Sequence, residues 1–316
     1  NPAMRDFPIF RIIEEKDNNH PYLENTRVWP LYDFASPVED HLERITHIIR
    51  GIDFLGRDEK HKFLYDCFGW TLPQNIVTGK FLIEGIKSTS KISESIKEGK
   101  LDGWEDPRTF SLKSLAKRGI DSRAIVDFVM SNGMKRGDIN VSLDILYAMN
   151  KKYVEEKNRY FFVKNPIKMH ILNSPKIKTA EIPLHPEDQK RGNRILNVSE
   201  DIFITSDDAG LLENAKKKNI QIRLKGLFNI RIKEITNDLI TSEYSSKKVE
   251  KGMQIIHWLC KKDSVPITFV NEKNIKSKGL MEKNALDVEG VVQFERVGFV
   301  NLIKERKEIF AYFGHR

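Results

Sequence analysis

After Arg159 the hydrophobic pattern of this 316-residue chain changes period, and that change most constrains its fold. Up to Tyr153 apolar residues recur mostly at helical spacing. Beyond Arg159 come Phe161-Phe-Val163, Lys168-Met-His-Ile-Leu172, Asp201-Ile-Phe-Ile-Thr205, Ile220-Gln-Ile-Arg-Leu224, Pro266-Ile-Thr-Phe-Val270 and Gly290-Val-Val-Gln-Phe294. These are short alternating runs broken by Gly, Asn, Asp and Pro. Alternation sends successive side chains to opposite faces of a strand, and many short strands with turns between them predict antiparallel barrels.

The start of the chain reads differently. Phe7-Pro-Ile-Phe-Arg-Ile12 and Arg27-Val-Trp-Pro-Leu-Tyr-Asp33 have strand character, the second running into a turn. Ser36 is then expected as an N-cap, with Pro37 as first helical residue and Glu39 completing a capping box. Val38, Leu42, Ile45 and Ile49 follow at helical spacing, and Gly51 ends the helix. A strand, a polar turn and a capped helix make half of a βαβ unit, which puts ligand-facing residues at the strand's carboxyl end. Residues 106–153 predict helices. Asp121 caps one through Ile125, Phe128 and Val129 that stops at Gly133, and residues 141–153 form another. The Lys-rich stretch 215–219 reads as a solvated face.

The length exceeds one ordinary core, and 40% apolar content can bury two or three. No apolar run approaches a membrane span, and residues 1–10 lack the apolar segment of a signal peptide. Cys67 and Cys260 lie far apart without companions at zinc spacing, so both are expected to be buried free thiols in a reducing, cytoplasmic compartment. The net charge of +8 favours a phosphate-bearing partner.

A set of short motifs narrows this further. Val28-Trp-Pro-Leu-Tyr-Asp-Phe-Ala35, Thr46-His-Ile-Ile-Arg50, Ser88-Thr-Ser-Lys91, Gly103-Trp-Glu-Asp-Pro-Arg108, Arg118-Gly119, His185-Pro186, Ile256-His-Trp258 and Gln293-Phe-Glu-Arg296 occur in this order. Together they resemble the glutamyl/glutaminyl branch of class I tRNA synthetases over essentially the whole chain. The archaeal glutamyl form fits best, its β-barrel half separating it from the bacterial enzyme with a helical anticodon domain. The family's His-x-Gly-His motif, which completes the ATP site, is absent. The chain therefore looks like a fragment lacking the N-terminal part of the catalytic domain, expected to be inactive alone. The resemblance implies a multidomain α/β, α and β architecture. Residues 1–98 would be the C-terminal part of a Rossmann-type catalytic domain, 99–157 a helical tRNA-contacting segment, and 158–316 a β-barrel anticodon-binding region.

By the same resemblance, Tyr32 and Arg50 line the amino-acid pocket, with Ser36, one turn from Tyr32, as a further candidate. Arg50 offers a planar fork of donors suited to the carboxylate that separates glutamate from glutamine. Its alternative role is to complement a helix C-terminal dipole. Residues Lys87, Ser88, Thr89, Ser90 and Lys91 resemble the mobile second signature loop, which sets positive charge on ATP phosphates. Thr89 stands where the family most often has its catalytic lysine, leaving Lys87 or, preferably, Lys91. Lys80 is a weaker ATP candidate. Arg108, Lys113, Lys117 and Arg118 are spaced for a basic helical face that could hold tRNA phosphates. Arg159, Gln293 and Arg296 match positions that hydrogen-bond the central anticodon base, and Arg223 and Lys225 match positions near the other anticodon bases. Lys216, Lys217 and Lys218 would add positive field, while His185, His257 and Trp258 read as structural.

The function so implied is ATP-dependent activation of glutamate and its transfer to the 3′-terminal adenosine of tRNA. ATP with Mg2+ enters as substrate, no bound metal or prosthetic group is expected, and the chain should be a monomer with no membrane partner. A glutaminyl enzyme on the same scaffold is the nearest rival, disfavoured by Arg50. A non-catalytic tRNA-binding module built from the barrels is the other, disfavoured by Tyr32, Arg50 and the 88–91 motif.

Overall fold

The computed structural model describes residues 4–14, 16, 18, 20–23, 26–83, 85–86, 88–236, 238–306 and 308–316. The chain divides into two compact units, residues 1–84 with 129–142, and residues 85–128 with 143–316. Among the described residues, no helix is long and apolar enough to cross a membrane.

In the first unit, strand Phe10–Ile12 pairs antiparallel with Val28–Pro30. Helix Tyr32–Leu42 follows, then strand His47–Gly51, helix Asp58–Phe68 and strand Gln74–Thr78, the two strands pairing in parallel. The helix that was expected to begin at Ser36 and reach Gly51 begins a turn earlier and ends earlier. The Leu31 carbonyl already accepts from the Phe34 and Ala35 amides, so Ser36 lies inside the helix, its hydroxyl on Asp40, and Pro37 is interior too. The stop was hidden because the left-handed closing residue is Arg44 (φ 56) rather than glycine. The Arg44 and Ile45 amides bond back to the His41 and Asp40 carbonyls, the paired bonds that close many helices. Ile49 thus belongs to a strand, and its helical spacing from Leu42 is accidental. Cys67 is exposed, against expectation, whereas Cys260 is buried.

Asp121 caps helix Ser122–Asn132, accepting from the Arg123 amide, and Gly133 closes it with φ 65; the helix starts in the second unit, and its residues from Val129 on are counted with the first. Helix Leu143–Val154 follows a strand, Ile139–Val141, that belongs to the first unit, so only part of the second expected helix forms. Among the described residues the β region contains an antiparallel pair, Thr179–Pro183 with Asn193–Asn197, and two seven-stranded sheets. One runs, neighbour by neighbour, Gln254–Ile256, Ile222–Leu224, Asn229–Ile235, Leu239–Ser246, Pro166–Leu172, Asp201–Thr205, Leu259–Cys260. Its two outer members are one strand interrupted at His257 and Trp258. The other runs Arg159–Tyr160, Gly290–Phe294, Gly298–Glu305, Glu308–His315, Ser264–Val270, Lys276–Glu282, Phe162–Lys164. Its outer members are one stretch interrupted at Phe161. Each sheet therefore closes on itself through a broken strand, which removes its open edges. The pairing is mixed rather than purely antiparallel: 159–160 runs parallel to 290–294, and 222–224 to 254–256. Helix Ala209–Lys218 is an addition within the β region, anchored by buried Leu212 and Ala215, with Lys216 to Lys218 forming its last turn.

The two strand interruptions interlock. Phe161 and Val163 enter the core of the first barrel, while Tyr160 and Phe162 enter that of the second. Alternate residues of one strand thus feed two cores, which explains why four consecutive residues are all apolar or aromatic. The His257 ring lies 5.6 Å from that of Phe161, and its Nε2 is 2.5 Å from the Phe162 carbonyl oxygen. At the break, the Phe161 amide donates to the fully buried Glu282 carboxylate, which also takes the Arg194 guanidinium at 2.8 Å.

Burial pushes the pKa values of His257 and His315 below the ordinary 6.5, with Arg296 and Arg118 respectively adding to the fall. The unfolded chain then binds protons that the fold refuses, so stability present near neutrality is lost as pH falls below about 6.5 toward the folded values. Thermal unfolding followed by calorimetry should show Tm dropping over that acid window. A Tm that is flat or rising there would contradict the assignment.

Candidate functional site

Arg50 lies on strand His47–Gly51 opposite Val77, not at a helix end, which removes the dipole alternative. Its side chain is only 8% exposed, and the nearest carboxylate oxygen, Asp58 Oδ1, is 3.8 Å from Nη1, too far for a hydrogen bond. Arg50 Nε and Nη1, Asp58 Oδ1, His61 Nε2 and Asn75 Oδ1 are all buried without hydrogen-bond partners. Buried polar atoms are nearly always satisfied, so five such atoms on neighbouring elements of one unit make this a candidate site for a polar ligand.

Tyr32 opens helix Tyr32–Leu42 and stays half exposed. Its ring is 5.5 Å from that of Phe54 and 6.0 Å from that of His61, with the Arg57 guanidinium 5.0 Å above it. Beside it, Asp33 pairs with Arg57 and with Lys60, the latter at 2.9 Å. Burial alone would raise the pKa of Asp33, but the hydrogen bonds from Lys60 and Arg57 hold it below the usual carboxylate range. Ser36 is engaged with Asp40 at 3.4 Å inside the helix. Lys80 is exposed and its Nζ sits 3.0 Å from Asp53, which raises its pKa. Sequence reasoning missed Asp58, His61 and Asn75. They stand in ordinary amphipathic surroundings, and only three-dimensional placement reveals their unsatisfied atoms.

In the second unit, Ser88 is the N-cap of helix Thr89–Lys97, and Thr89, Ser90 and Lys91 form its exposed first turn. The segment read as a loop is thus largely a helix start, where unsatisfied amides and Lys91 together suit an anion. Lys87 lies outside the described residues.

The basic face expected from Arg108 to Arg118 does not form. Arg108 wraps back on Asp106, donating from Nε at 2.9 Å and from Nη2 at 2.5 Å. Arg118 is 3% exposed and bonds the Phe313 and Gly314 carbonyls and the Tyr147 hydroxyl, tying the helical segment to strand Glu308–His315. Lys117 lies over the Tyr312 ring between Glu105 and Glu305, leaving Lys113 exposed.

The barrel residues divide. Arg159 and Gln293 are directly opposite each other in the parallel pair that closes the second barrel. Arg159 Nε and Gln293 Oε1 are buried and lack partners, and both line a cavity of about 480 Å3 shared with Lys151, Glu155, His185 and Arg191. His185 holds the Glu155 carbonyl oxygen at 3.1 Å from its wall. Arg296 is elsewhere: it sits in a turn with φ 65, forks onto both oxygens of Asp208 at 2.8 and 2.5 Å, and lines a different cavity. Arg223 bonds Asn229 Oδ1 at 3.0 Å and the Lys247 and Leu227 carbonyls, and Lys225 is paired with Glu295. The structure thus brings together two of the three expected central-base residues, and engages Arg296, Arg223 and Lys225 within the protein. His257 and Trp258 are buried, Trp258 donating to the Lys225 carbonyl.

Residues 1–156 match the catalytic domain of class I tRNA synthetases (E and Q), and residues 158–247 and 255–303 match two anticodon-binding domains of the same class. The whole chain aligns at 41% identity with 56% of the glutamate–tRNA ligase of Pyrococcus furiosus. It aligns over its whole length at 39% with 56% of that of Thermococcus kodakarensis, and at 38% with 55% of that of Archaeoglobus fulgidus. The chain therefore spans little more than half the length of these relatives.

Proposed function

The chain belongs to the glutamyl/glutaminyl branch of class I tRNA synthetases, and on that premise we propose that it serves a glutamate–tRNA ligase, supplying the amino-acid side-chain pocket and the anticodon-reading barrels. The observation that carries the reading is the buried Arg50 guanidinium with two unbonded nitrogens. A carboxylate brings acceptors and a counter-charge closer than Asp58 at 3.8 Å, whereas a carboxamide brings one acceptor and no charge. Activation joins a glutamate carboxylate oxygen to the α-phosphorus of magnesium-bound ATP and expels pyrophosphate. The 2′-hydroxyl of the terminal adenosine then attacks the acyl carbon and AMP leaves. Neither step needs a protein nucleophile, so positioning and charge placement by Tyr32, Arg50, Lys91 and the amides around Ser88, Thr89 and Ser90 are the expected contributions. Such work belongs in the cytoplasm. The reading is tested by amino-acid-dependent ATP–pyrophosphate exchange on the intact protein. Exchange driven by glutamine in preference to glutamate would replace it with the glutaminyl alternative.

The tRNA reading rests on Arg159 and Gln293, whose free edge atoms suit a splayed base. Arg159→Ala is expected to cost about 1–3 kcal/mol on cognate tRNA and much less on a tRNA altered at the central anticodon base. Arg296→Ala, which only releases Asp208, should weaken both RNAs alike. Filter or fluorescence binding titrations would separate the two patterns. Equal losses on both RNAs for Arg159→Ala would reduce that residue to general electrostatics.

A further inference from the structure

We propose that His61 is a second specificity-determining residue of the amino-acid pocket, hydrogen-bonding through Nε2 to the substrate carboxylate held by Arg50. The inference rests on the pocket assignment for Arg50 and goes beyond it, because it gives a role to a side chain that no motif singled out. Helix Asp58–Phe68 carries His61 one turn in from Asp58, so Arg50's nearest carboxylate and this imidazole come from the same helix. The residue is 3% exposed, and its Nε2 is buried with no hydrogen-bond partner. The nearest carboxylate oxygen to it, Asp33 Oδ1, is 4.0 Å away and already taken by Arg57. Tyr32, the other residue assigned to the pocket, has its ring 6.0 Å from the imidazole.

A histidine that merely filled the core would be expected to anchor its ring on a backbone carbonyl through Nε2, as His185 and His257 do, although His257 leaves its Nδ1 without a partner. His61 has no such anchor, and a polar ligand reaching both this nitrogen and the Arg50 guanidinium would satisfy them together. The charged groups that act on the imidazole are Arg50, Asp33, Asp40 and Asp58. Burial first, and then the Arg50 charge, lower its pKa against the pull of the three carboxylates. His61 is therefore neutral at physiological pH, and with its proton on Nε2 it adds a donor without a second full charge. A donor of this kind still favours a carboxylate over the amino end of a carboxamide, which sharpens the choice Arg50 makes by charge.

The test uses steady-state pyrophosphate exchange by the intact protein with His61→Leu, His61→Gln and Arg50→Ala. Leucine keeps the packing and removes the polar atom, whereas glutamine restores a donor near the Nε2 position. His61→Leu is expected to raise KM for glutamate about 10–100-fold with little change in kcat, the signature of lost binding made equally in ground and transition states. His61→Gln should recover most of that loss. In wild-type protein, NMR of labelled imidazole nitrogens should show a His61 Nε2 shift on adding glutamate. A KM within twofold of wild type for His61→Leu, a glutamine variant no better than leucine, or an unmoved Nε2 resonance would each overturn the proposal. Arg50→Ala separates the two layers. If it weakens glutamate use while His61→Leu does not, only the histidine role fails; if Arg50→Ala has no effect, the pocket assignment itself fails.

Discussion

Arg194→Ala is expected to lower stability by about 3–5 kcal/mol, among the largest single-site effects in the chain, because it strands a buried charge. The Arg194 side chain is 2% exposed and Glu282 is fully buried. Arg194 Nε meets the Glu282 carboxylate, Nη2 is 3.4 Å from Glu295, and Nη1 donates to the Pro183 carbonyl. The guanidinium also lies 5.1 Å from the Phe161 ring centroid. Burial pushes the Glu282 pKa up and Arg194 pulls it down, burial prevailing. Without Arg194 the folded pKa rises further above the unfolded one, so the variant should lose still more stability as pH rises above the unfolded value of about 4.5. Replacing both partners by apolar residues should recover only part of the loss, because Glu282 also receives the Phe161 amide at the strand break. Denaturant unfolding of the single and double variants at two pH values would check this. A loss below about 1 kcal/mol for Arg194→Ala would make the pair an ordinary surface contact.

Arg50→Ala is expected to lower kcat/KM for glutamate by about 2–5 kcal/mol, or about 30- to 5,000-fold, with no comparable loss for glutamine. The magnitude follows from leaving the substrate's side-chain carboxylate unpaired inside a pocket where Arg50 has almost no solvent contact. Asp58, 3.8 Å from Arg50, would lose a counter-charge at the same time, and its carboxylate would then repel that of the substrate. Pyrophosphate exchange with each amino acid measures both effects. Unchanged glutamate kinetics would exclude the carboxylate-binding role.

How much of this could be read from residues alone depended on whether the signal was local. Strands Asp201–Thr205 and Gly290–Phe294 appear where alternation placed them, and helix Ser122–Asn132 lies between its Asp121 cap and Gly133 stop. The helix before Arg50 was misread at both ends, because a Ser-Pro-x-Glu cap signal sat inside an existing helix and an arginine did the work usually given to glycine. Pairing of Arg159 with Gln293 was legible only as a pattern of resemblance, since the residues are far apart in sequence and meet through barrel closure. The partners of Arg108, Arg118, Arg223 and Arg296 were not legible at all. A cation's spacing on a predicted element says nothing about which carbonyl or carboxylate the fold will bring beside it.

The stretch from Arg159 to Lys164 couples the two barrels in time as well as in space. Phe161 and Val163 await strands as distant as 254–260, while Tyr160 and Phe162 await strands 276–282 and 290–294. Neither hydrophobic interior can be completed while the chain is still being extended through its early strands. Residues 159–164 must therefore remain uncommitted until strands as late as 290–294 are available, and loops this long close slowly. The arrangement makes the barrel pair a single late-closing structure, whose assembly waits for its last strands.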